Sequence, residues 1–180
     1  MSTDKGPPNW PRRQTLPHEV PLWVPQGEVF FLTINCARRG ANRLAVPSMA
    51  NWLVDTIVAR ITMGQWYPHV LLLMPDHPHA LITFGDEFVM KRVLQSWKRY
   101  TARYLGIQWQ RDFFDHRIRR DESLSEKWGY ILDNPVRAGL VAESAAWPYV
   151  WDAHHLAEWG GEGPPDRPVP VRDGEDSGTS

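Results

Sequence analysis

The segment that decides the fold is residues 71–84, LLLMPDHPHALITF, where two apolar runs flank a Pro-Asp-His-Pro-His corner. The apolar runs have the character of strands, and the short polar corner predicts a turn that joins them. His77 and His79 stand two residues apart, and residues i and i+2 of an extended segment point to the same face. Both imidazoles would therefore project from one side of the sheet, as two ligands of a single metal ion do.

Outward from this corner, the hydrophobic spacing predicts the other elements of the core. The predicted elements are a strand at 29–34, a helix at 47–63, strands at 66–74 and 80–84, a helix at 86–105, a strand at 108–118 and a helix at 121–134. Asp121 can cap the last helix, and Pro135 is expected to end it because a proline pushes the preceding residue out of the α region. This order predicts an α+β fold of the split βαβ (ferredoxin-like) kind, an antiparallel sheet with helices packed mainly on one face.

Composition divides the 180 residues into a Pro-rich arm at 1–27, a core at 28–155 and an acidic tail at 156–180. The tail is rich in Gly, Pro and acidic residues, so we expect it to be disordered and to contribute nothing to the core. The N-terminus has no apolar region typical of a secretory signal, and no apolar run approaches the roughly 20 residues that span a bilayer. The single cysteine, Cys36, fits a reducing compartment. These features predict a cytoplasmic protein that has no membrane partner.

The net charge of −1 conceals an uneven distribution, since residues 91–120 carry nine basic side chains against two acidic ones. A solvated helix face would mix the signs, so we favour contacts with nucleic-acid phosphates over that alternative. Aromatic residues in the same region could stack on unpaired bases. The candidate DNA-binding residues are Lys98, Arg99, Arg103, Arg111, Arg117, Arg119 and Arg120, together with Arg12 and Arg13 in the arm.

A second motif lies at residues 128–141, WGYILDNPVRAGLV, where Tyr130 and Asn134 are four residues apart on one helical face. A tyrosine hydroxyl can act as a nucleophile that forms a covalent intermediate, and an asparagine offers a carbonyl oxygen that a hard metal ion accepts. Each residue also has an ordinary explanation, because Tyr130 could be a core residue and Asn134 a helix-ending one. His-x-His alone is likewise compatible with one surface histidine and one structural histidine.

In combination, MPDHPHALITF and the later KWGYILDNPVRAGLV resemble the single-tyrosine HUH transposases, and in particular their REP-associated tyrosine transposase branch. The resemblance extends over residues 10–150. It implies that His77 and His79 are the metal-binding pair, that Tyr130 is the nucleophile and that Asn134 completes the metal site. The metal implied is Mg²⁺ or Mn²⁺, and the fold implied is the HUH type of the split βαβ sandwich.

The resemblance further implies a metal-dependent single-stranded DNA endonuclease and strand transferase that cleaves through a covalent 5′-phosphotyrosine intermediate. Its partner would be single-stranded or hairpin DNA, such as REP-like palindromes, which would bring the protein to the nucleoid, and it would act as a monomer or a homodimer. Two alternatives stay open: a domesticated hairpin-binding protein without cleavage activity, and an unrelated metal hydrolase with a structural Tyr130. The residues leave Asp133 and a bound water as acceptors of the Tyr130 proton.

Overall fold

Five strands and five α-helices form the part of the chain that the computed structural model describes, residues 27–85, 90–118 and 123–160. The strands are β1 (Val29–Thr33), β2 (Trp66–Leu73), β3 (Pro78–Phe84), β4 (Phe114–Arg117) and β5 (Val150–Asp152). The helices are α1 (Pro47–Thr62), α2 (Met90–Leu105), α3 (Leu124–Leu132), α4 (Asn134–Arg137) and α5 (Ala153–Ala157). Four segments lie outside the described residues: the predicted arm up to residue 26, the predicted helix start at 86–89, residues 119–122 and the tail from 161 onward.

The strands form one sheet in the order β4-β1-β3-β2-β5, and every pairing is antiparallel. Strands β1 and β2 both pair with β3 and therefore run parallel to each other, with α1 as the crossover and β3 inserted between them. The connection from β3 through α2 to β4 repeats this arrangement across β1. This topology is the split βαβ fold, so the predicted fold class is confirmed, while β5 is an additional edge strand that the sequence did not predict.

The two faces of the sheet are covered by different helices, because strand side chains alternate between the faces. One face packs against α1, α2 and α5 in the larger core cluster, to which Leu32 and Ile82 of the sheet belong. The opposite face, with Phe31 and Leu81, forms a smaller cluster with α3. The expectation that helices pack mainly on one face is therefore met, and α3 is the exception that brings Tyr130 to the other side.

The strand predicted at 108–118 is much shorter, since only Phe114–Arg117 pairs as β4 and Trp109 forms an isolated bridge with Cys36. The reason lies in a buried lysine of α2. The ammonium of Lys98 donates hydrogen bonds to the backbone carbonyls of Gln110, Arg111 and Asp112, at 2.7, 2.8 and 3.4 Å. Carbonyls satisfied by a side chain do not need a ladder partner, so the segment stays irregular.

The helix predicted at 121–134 begins and ends differently. Its cap is Ser123, whose hydroxyl accepts a hydrogen bond from the backbone N–H three residues later, whereas Asp121 lies outside the described residues. Pro135 does not end it by moving the preceding residue out of the α region, because Asn134 is itself helical and opens α4. A proline in the first turn of a helix loses no hydrogen bond, which explains why it is tolerated there.

The expected tail boundary at residue 156 is wrong, because α5 runs across it. Leu156 is only 1% exposed and belongs to the larger core cluster. The indole N–H of Trp159 donates a 2.8 Å hydrogen bond to the carboxylate of Asp55 in α1. Residues up to Trp159 therefore belong to the folded core. Within the described ranges, none of the helices has both the length and the apolar character of a membrane span.

Candidate active site

The β2–β3 corner places the imidazoles of His77 and His79 against each other, with ring centroids 4.7 Å apart and ring planes at 87°. His77 lies in the turn, and His79 is the second residue of β3. His79 follows the same alternation as Leu81, so its side chain belongs to the sheet face that α3 covers. The ring of Phe31 in β1 stacks on His79 with centroids 5.7 Å apart.

Each imidazole has one ring nitrogen held by a neighbouring oxygen. Nδ1 of His77 donates to the carboxylate of Asp76 at 2.6 Å, and Nδ1 of His79 shares a hydrogen bond with the hydroxyl of Thr33 at 2.8 Å. Nε2 of His79 is buried and has no hydrogen-bond partner among the described residues. Metal-binding histidines in proteins typically use one nitrogen for the ion and donate the other N–H to a carboxylate or another oxygen. Both imidazoles therefore fit the role of metal ligands.

Asp76 is in turn fixed by the loop that follows β1. Its second carboxylate oxygen accepts a hydrogen bond from the backbone N–H of Gly40 at 2.6 Å and lies 3.3 Å from Nε of Arg39. Burial alone would raise the pKa of Asp76, but the hydrogen bonds from Gly40 and His77 and the charge of Arg39 outweigh it and lower the pKa. The carboxylate is therefore ionised at neutral pH and is a fixed acceptor for the His77 N–H.

The two imidazoles are neutral at physiological pH. Burial lowers the pKa of His79 to about 3, and the neighbouring His77 and Arg39 act in the same direction. Burial also lowers the pKa of His77, although its hydrogen bond to Asp76 opposes the shift. A metal ion is bound by the neutral form of histidine, so no proton has to be displaced from either ring.

Tyr130 lies on the outer surface of α3 and is 45% exposed. Its ring meets the ring of Phe31 edge-on, with centroids 6.0 Å apart, and the ring of Phe31 also stacks on His79. Phe31 therefore lies between the tyrosine and the histidine pair on one face of the sheet. The guanidinium of Arg137 from α4 also lies over the Tyr130 ring, 4.9 Å from its centroid.

Asn134 stands one turn after Tyr130, and its side-chain nitrogen donates to the carbonyls of Tyr130 at 2.9 Å and Ile131 at 3.2 Å. These bonds fix the amide and leave its oxygen for another partner. In the described part of the chain, no three His, Cys, Asp or Glu side chains are grouped to hold a metal ion. A third protein ligand from this region would therefore have to be an oxygen of another kind, such as the amide oxygen of Asn134.

Lys98 does not belong to a DNA-binding surface, contrary to the sequence prediction. The residue is only 8% exposed and its ammonium is occupied by backbone carbonyls. Burial lowers the pKa of Lys98, which the charge of Asp112 partly opposes. The spacing offers a signal for this position, since Lys98 follows the buried Leu94 by four residues and precedes the buried Thr101 by three.

The remaining basic candidates that the structure describes are exposed. Arg99 and Arg103 lie on the outer surface of α2, on the sheet face opposite to His79 and Tyr130. Arg117 of β4 forms an exposed ion pair with Glu28 at 2.8 Å, and Arg111 precedes β4. The candidates that lie outside the described residues are Arg12, Arg13, Arg119 and Arg120.

The aromatic residues of the basic region divide into two groups. Trp97 is buried, and the indole of Trp109 packs beside it with ring centroids 5.3 Å apart. The rings of Tyr100 and Tyr104 contact each other at the surface of α2, with centroids 4.6 Å apart and planes tilted by 46°, and Arg103 lies 5.5 Å from the centroid of the Tyr104 ring. The first pair is part of the core, whereas the second pair lies at the surface.

Three residues of the site, Thr33, Phe31 and Arg137, were absent from the sequence prediction. Thr33 and Phe31 reach the histidines through the pairing of β1 with β3, in which Thr33 is the partner of His79. That register is a long-range contact with no local sequence signal. Arg137 follows Tyr130 by seven residues, a spacing that returns to the same helical face and could have identified it.

No family model matches the chain. A REP-associated tyrosine transposase from Escherichia coli K12 is 27% identical over 127 residues, which are 69% of this chain and 76% of that protein. A relative from Haemophilus influenzae, provisionally given the same name, is 31% identical over 97 residues, or 44% of this chain and 54% of that protein.

Among solved structures, a REP-associated tyrosine transposase bound to a REP hairpin superposes with a TM-score of 0.62 at 22% identity. The match covers 80% of this chain and 92% of that one, and it confirms the fold. The two sequence relatives carry the same name as this structure. The chain is thus similar to REP-associated tyrosine transposases in sequence and in fold.

Proposed function

We propose that this protein is a metal-dependent endonuclease and strand transferase of single-stranded DNA that recognises hairpin-forming repeats. The observation that carries the proposal is that an exposed tyrosine and two oriented imidazoles lie on one face of the sheet, with Phe31 in contact with both Tyr130 and His79. The names of the sequence relatives support a transposase, and the REP hairpin bound to a structural relative supports hairpin DNA as the ligand.

The metal site would consist of the free nitrogens of His77 and His79 and the amide oxygen of Asn134. This set supplies three ligands and leaves positions open for phosphate oxygens and water, as a catalytic site requires. A bound Mg²⁺ or Mn²⁺ would supply Lewis-acid stabilisation of charge on the scissile phosphate. Asp76 and Thr33 would each hold Nδ1 of one imidazole, which leaves Nε2 of both rings for the ion.

Tyr130 would attack the scissile phosphorus with its phenol oxygen. A bond forms between that oxygen and the 5′ phosphate, and the bond to the 3′ oxygen breaks, so the leaving strand ends in a 3′-hydroxyl once it has taken a proton. The phenol proton passes to water or to the exposed Asp133, one oxygen of which accepts a 2.8 Å hydrogen bond from the Ser144 hydroxyl. The number of phosphoester bonds is unchanged, so strand transfer needs no nucleotide.

The test is to mix the protein with hairpin-flanked single-stranded DNA and Mn²⁺ and to look for a protein–DNA adduct that survives denaturation. Tyr130→Phe should abolish the adduct and retain hairpin binding, because the ring and its edge contact with Phe31 are preserved. The matched control is Tyr104→Phe, which removes the hydroxyl of another exposed tyrosine on the opposite side of the sheet. It should form the adduct like the wild type.

Each alternative gives a different result in this assay. An adduct with Tyr130→Phe would show that another group is the nucleophile and would remove the proposed chemistry. Tight hairpin binding by the wild type without any adduct would favour the domesticated DNA-binding protein. Neither binding nor an adduct would favour an unrelated hydrolase with a structural tyrosine.

A further inference from the structure

The residue that carries a further inference is Arg137, whose guanidinium lies 4.9 Å from the centroid of the Tyr130 ring. Asp133, which joins α3 to α4, has right-handed helical angles, so the backbone continues with little interruption between the two helices. Tyr130, Asn134 and Arg137 are then spaced i, i+4 and i+7 and share one face. The nucleophile, the amide and a permanent cation are thereby presented together.

Arg137 is held in place by its backbone, while its charged group remains available. Its backbone N–H donates to the carbonyl of Asp133 at 2.9 Å, and the side chain is exposed. In the described part of the chain its guanidinium forms no ion pair. The carboxylate of Asp133, the acid nearest in sequence, is instead hydrogen-bonded to Ser144. The N–H groups along the guanidinium edge are therefore free to bind an anion while its face rests on the tyrosine ring.

We propose that Arg137 is a catalytic residue that binds the non-bridging oxygens of the phosphate attacked by Tyr130. This inference rests on the function proposed above and adds a residue to it. A planar guanidinium can stack on an aromatic ring and donate two parallel hydrogen bonds to one phosphate. A phosphate held in this way lies beside the phenol oxygen, and the fixed positive charge stabilises the negative charge that develops during attack.

The structure also permits a simpler role, in which Arg137 only holds the tyrosine ring by stacking. The two roles differ in their dependence on phosphate charge, because stacking on the ring does not require an anion. A strand with a neutral methylphosphonate at the scissile position lacks one charged oxygen and therefore separates them. Arg103 provides a matched control, since it is an exposed arginine over a tyrosine ring, Tyr104, on the opposite side of the sheet.

The first measurement is binding of the hairpin-flanked strand in the presence of a metal chelator, with Tyr130→Phe as the background to prevent cleavage. Adding Arg137→Ala should weaken binding of the phosphate strand about tenfold, as expected for loss of a charge-assisted contact. Binding of the methylphosphonate strand should change by less than about twofold. Adding Arg103→Ala should affect both strands equally. Equal losses on both strands with Arg137→Ala, or no loss on either, would overturn the proposal.

The second measurement is the rate of adduct formation with Mn²⁺ in single variants that retain Tyr130. Arg137→Ala should lower the rate on the phosphate strand by roughly 100-fold, a typical effect of removing one group that stabilises transition-state charge. Arg137→Lys should recover part of the rate, because the charge returns without the planar fork. If the wild type forms no adduct, the proposed function fails, whereas the binding experiment still decides whether Arg137 recognises the phosphate.

Discussion

Thr33→Val should weaken metal binding without disturbing the sheet. Valine keeps the branched shape of threonine and suits a strand, so the substitution removes little more than the hydroxyl that lies 2.8 Å from Nδ1 of His79. When that hydroxyl accepts the Nδ1–H, the lone pair of Nε2 is available to a metal ion. Without the hydroxyl, the imidazole is free to carry its hydrogen on Nε2, the nitrogen that the ion needs.

Two magnitudes follow from this contact. Leaving a partly buried ring nitrogen without its partner should destabilise the protein by about 1–3 kcal/mol. Loss of an outer partner of a metal-binding histidine typically lowers metal affinity about 10- to 100-fold, which corresponds to about 1.4–2.7 kcal/mol. The two effects are separable, because the first appears in unfolding and the second in Mn²⁺ binding by the folded protein.

The chain contains a matched control for this substitution. Thr83 of β3 pairs with the buried His69 through a hydrogen bond of the same length, 2.8 Å, four residues further along the strand from His79. Thr83→Val should lose similar stability in urea and bind Mn²⁺ like the wild type in calorimetry. Unchanged Mn²⁺ affinity in folded Thr33→Val, or an equal loss in Thr83→Val, would refute the role of Thr33 in orienting its histidine.

Three further predictions concern stability and DNA binding. Deleting residues 156–180 should lower the free energy of unfolding by at least about 3 kcal/mol, because it removes the buried Leu156 and the indole hydrogen bond of Trp159. Deleting residues 161–180 retains both contacts and should leave the midpoint of urea unfolding unchanged. Burial lowers the pKa of His69 to about 4. Because the histidine of the unfolded chain takes up a proton first, about 3 kcal/mol of stability should be lost as pH falls from 6.5 to 4. In urea titrations, His69→Gln should abolish that part of the pH dependence. Lys98→Met should lower the free energy of unfolding by about 1.5–3 kcal/mol, because it leaves backbone carbonyls without their charged donor. Arg99→Ala should retain stability and should reduce the slope of log K against log salt concentration for single-strand binding by about 0.7.

The parts of this molecule that could be predicted from sequence are those with local causes. The close approach of His77 and His79 depends on a two-residue spacing at a strand end, and the spacing of Tyr130 and Asn134 depends on one helical turn. The order of strands and helices was also sufficient for the fold class, because the split βαβ arrangement follows from that order. In each case the chain neighbours themselves determine the geometry.

The parts that could not be predicted depend on contacts between distant segments. The partner of Thr33 is set by the register of β1 against β3, and the role of Lys98 is set by a loop that passes under α2. The boundary of the tail was wrong because Gly, Pro and acidic composition begins close to Leu156, which the core nevertheless buries. Average composition over a segment does not reveal that a single side chain reaches the core.

Thr33 pairs with His79 in the observed register of β1 against β3, so the proposed metal site depends on correct pairing of the sheet. A slip of one residue would turn every side chain of β1 to the other face and leave the imidazole unsupported. The histidines precede Tyr130 in the chain and are synthesised first, so the ring contact between Tyr130 and Phe31 can form only once α3 has been made. Under the proposed function, an unfinished or misfolded copy would lack a complete site and could not nick the DNA of the cell prematurely.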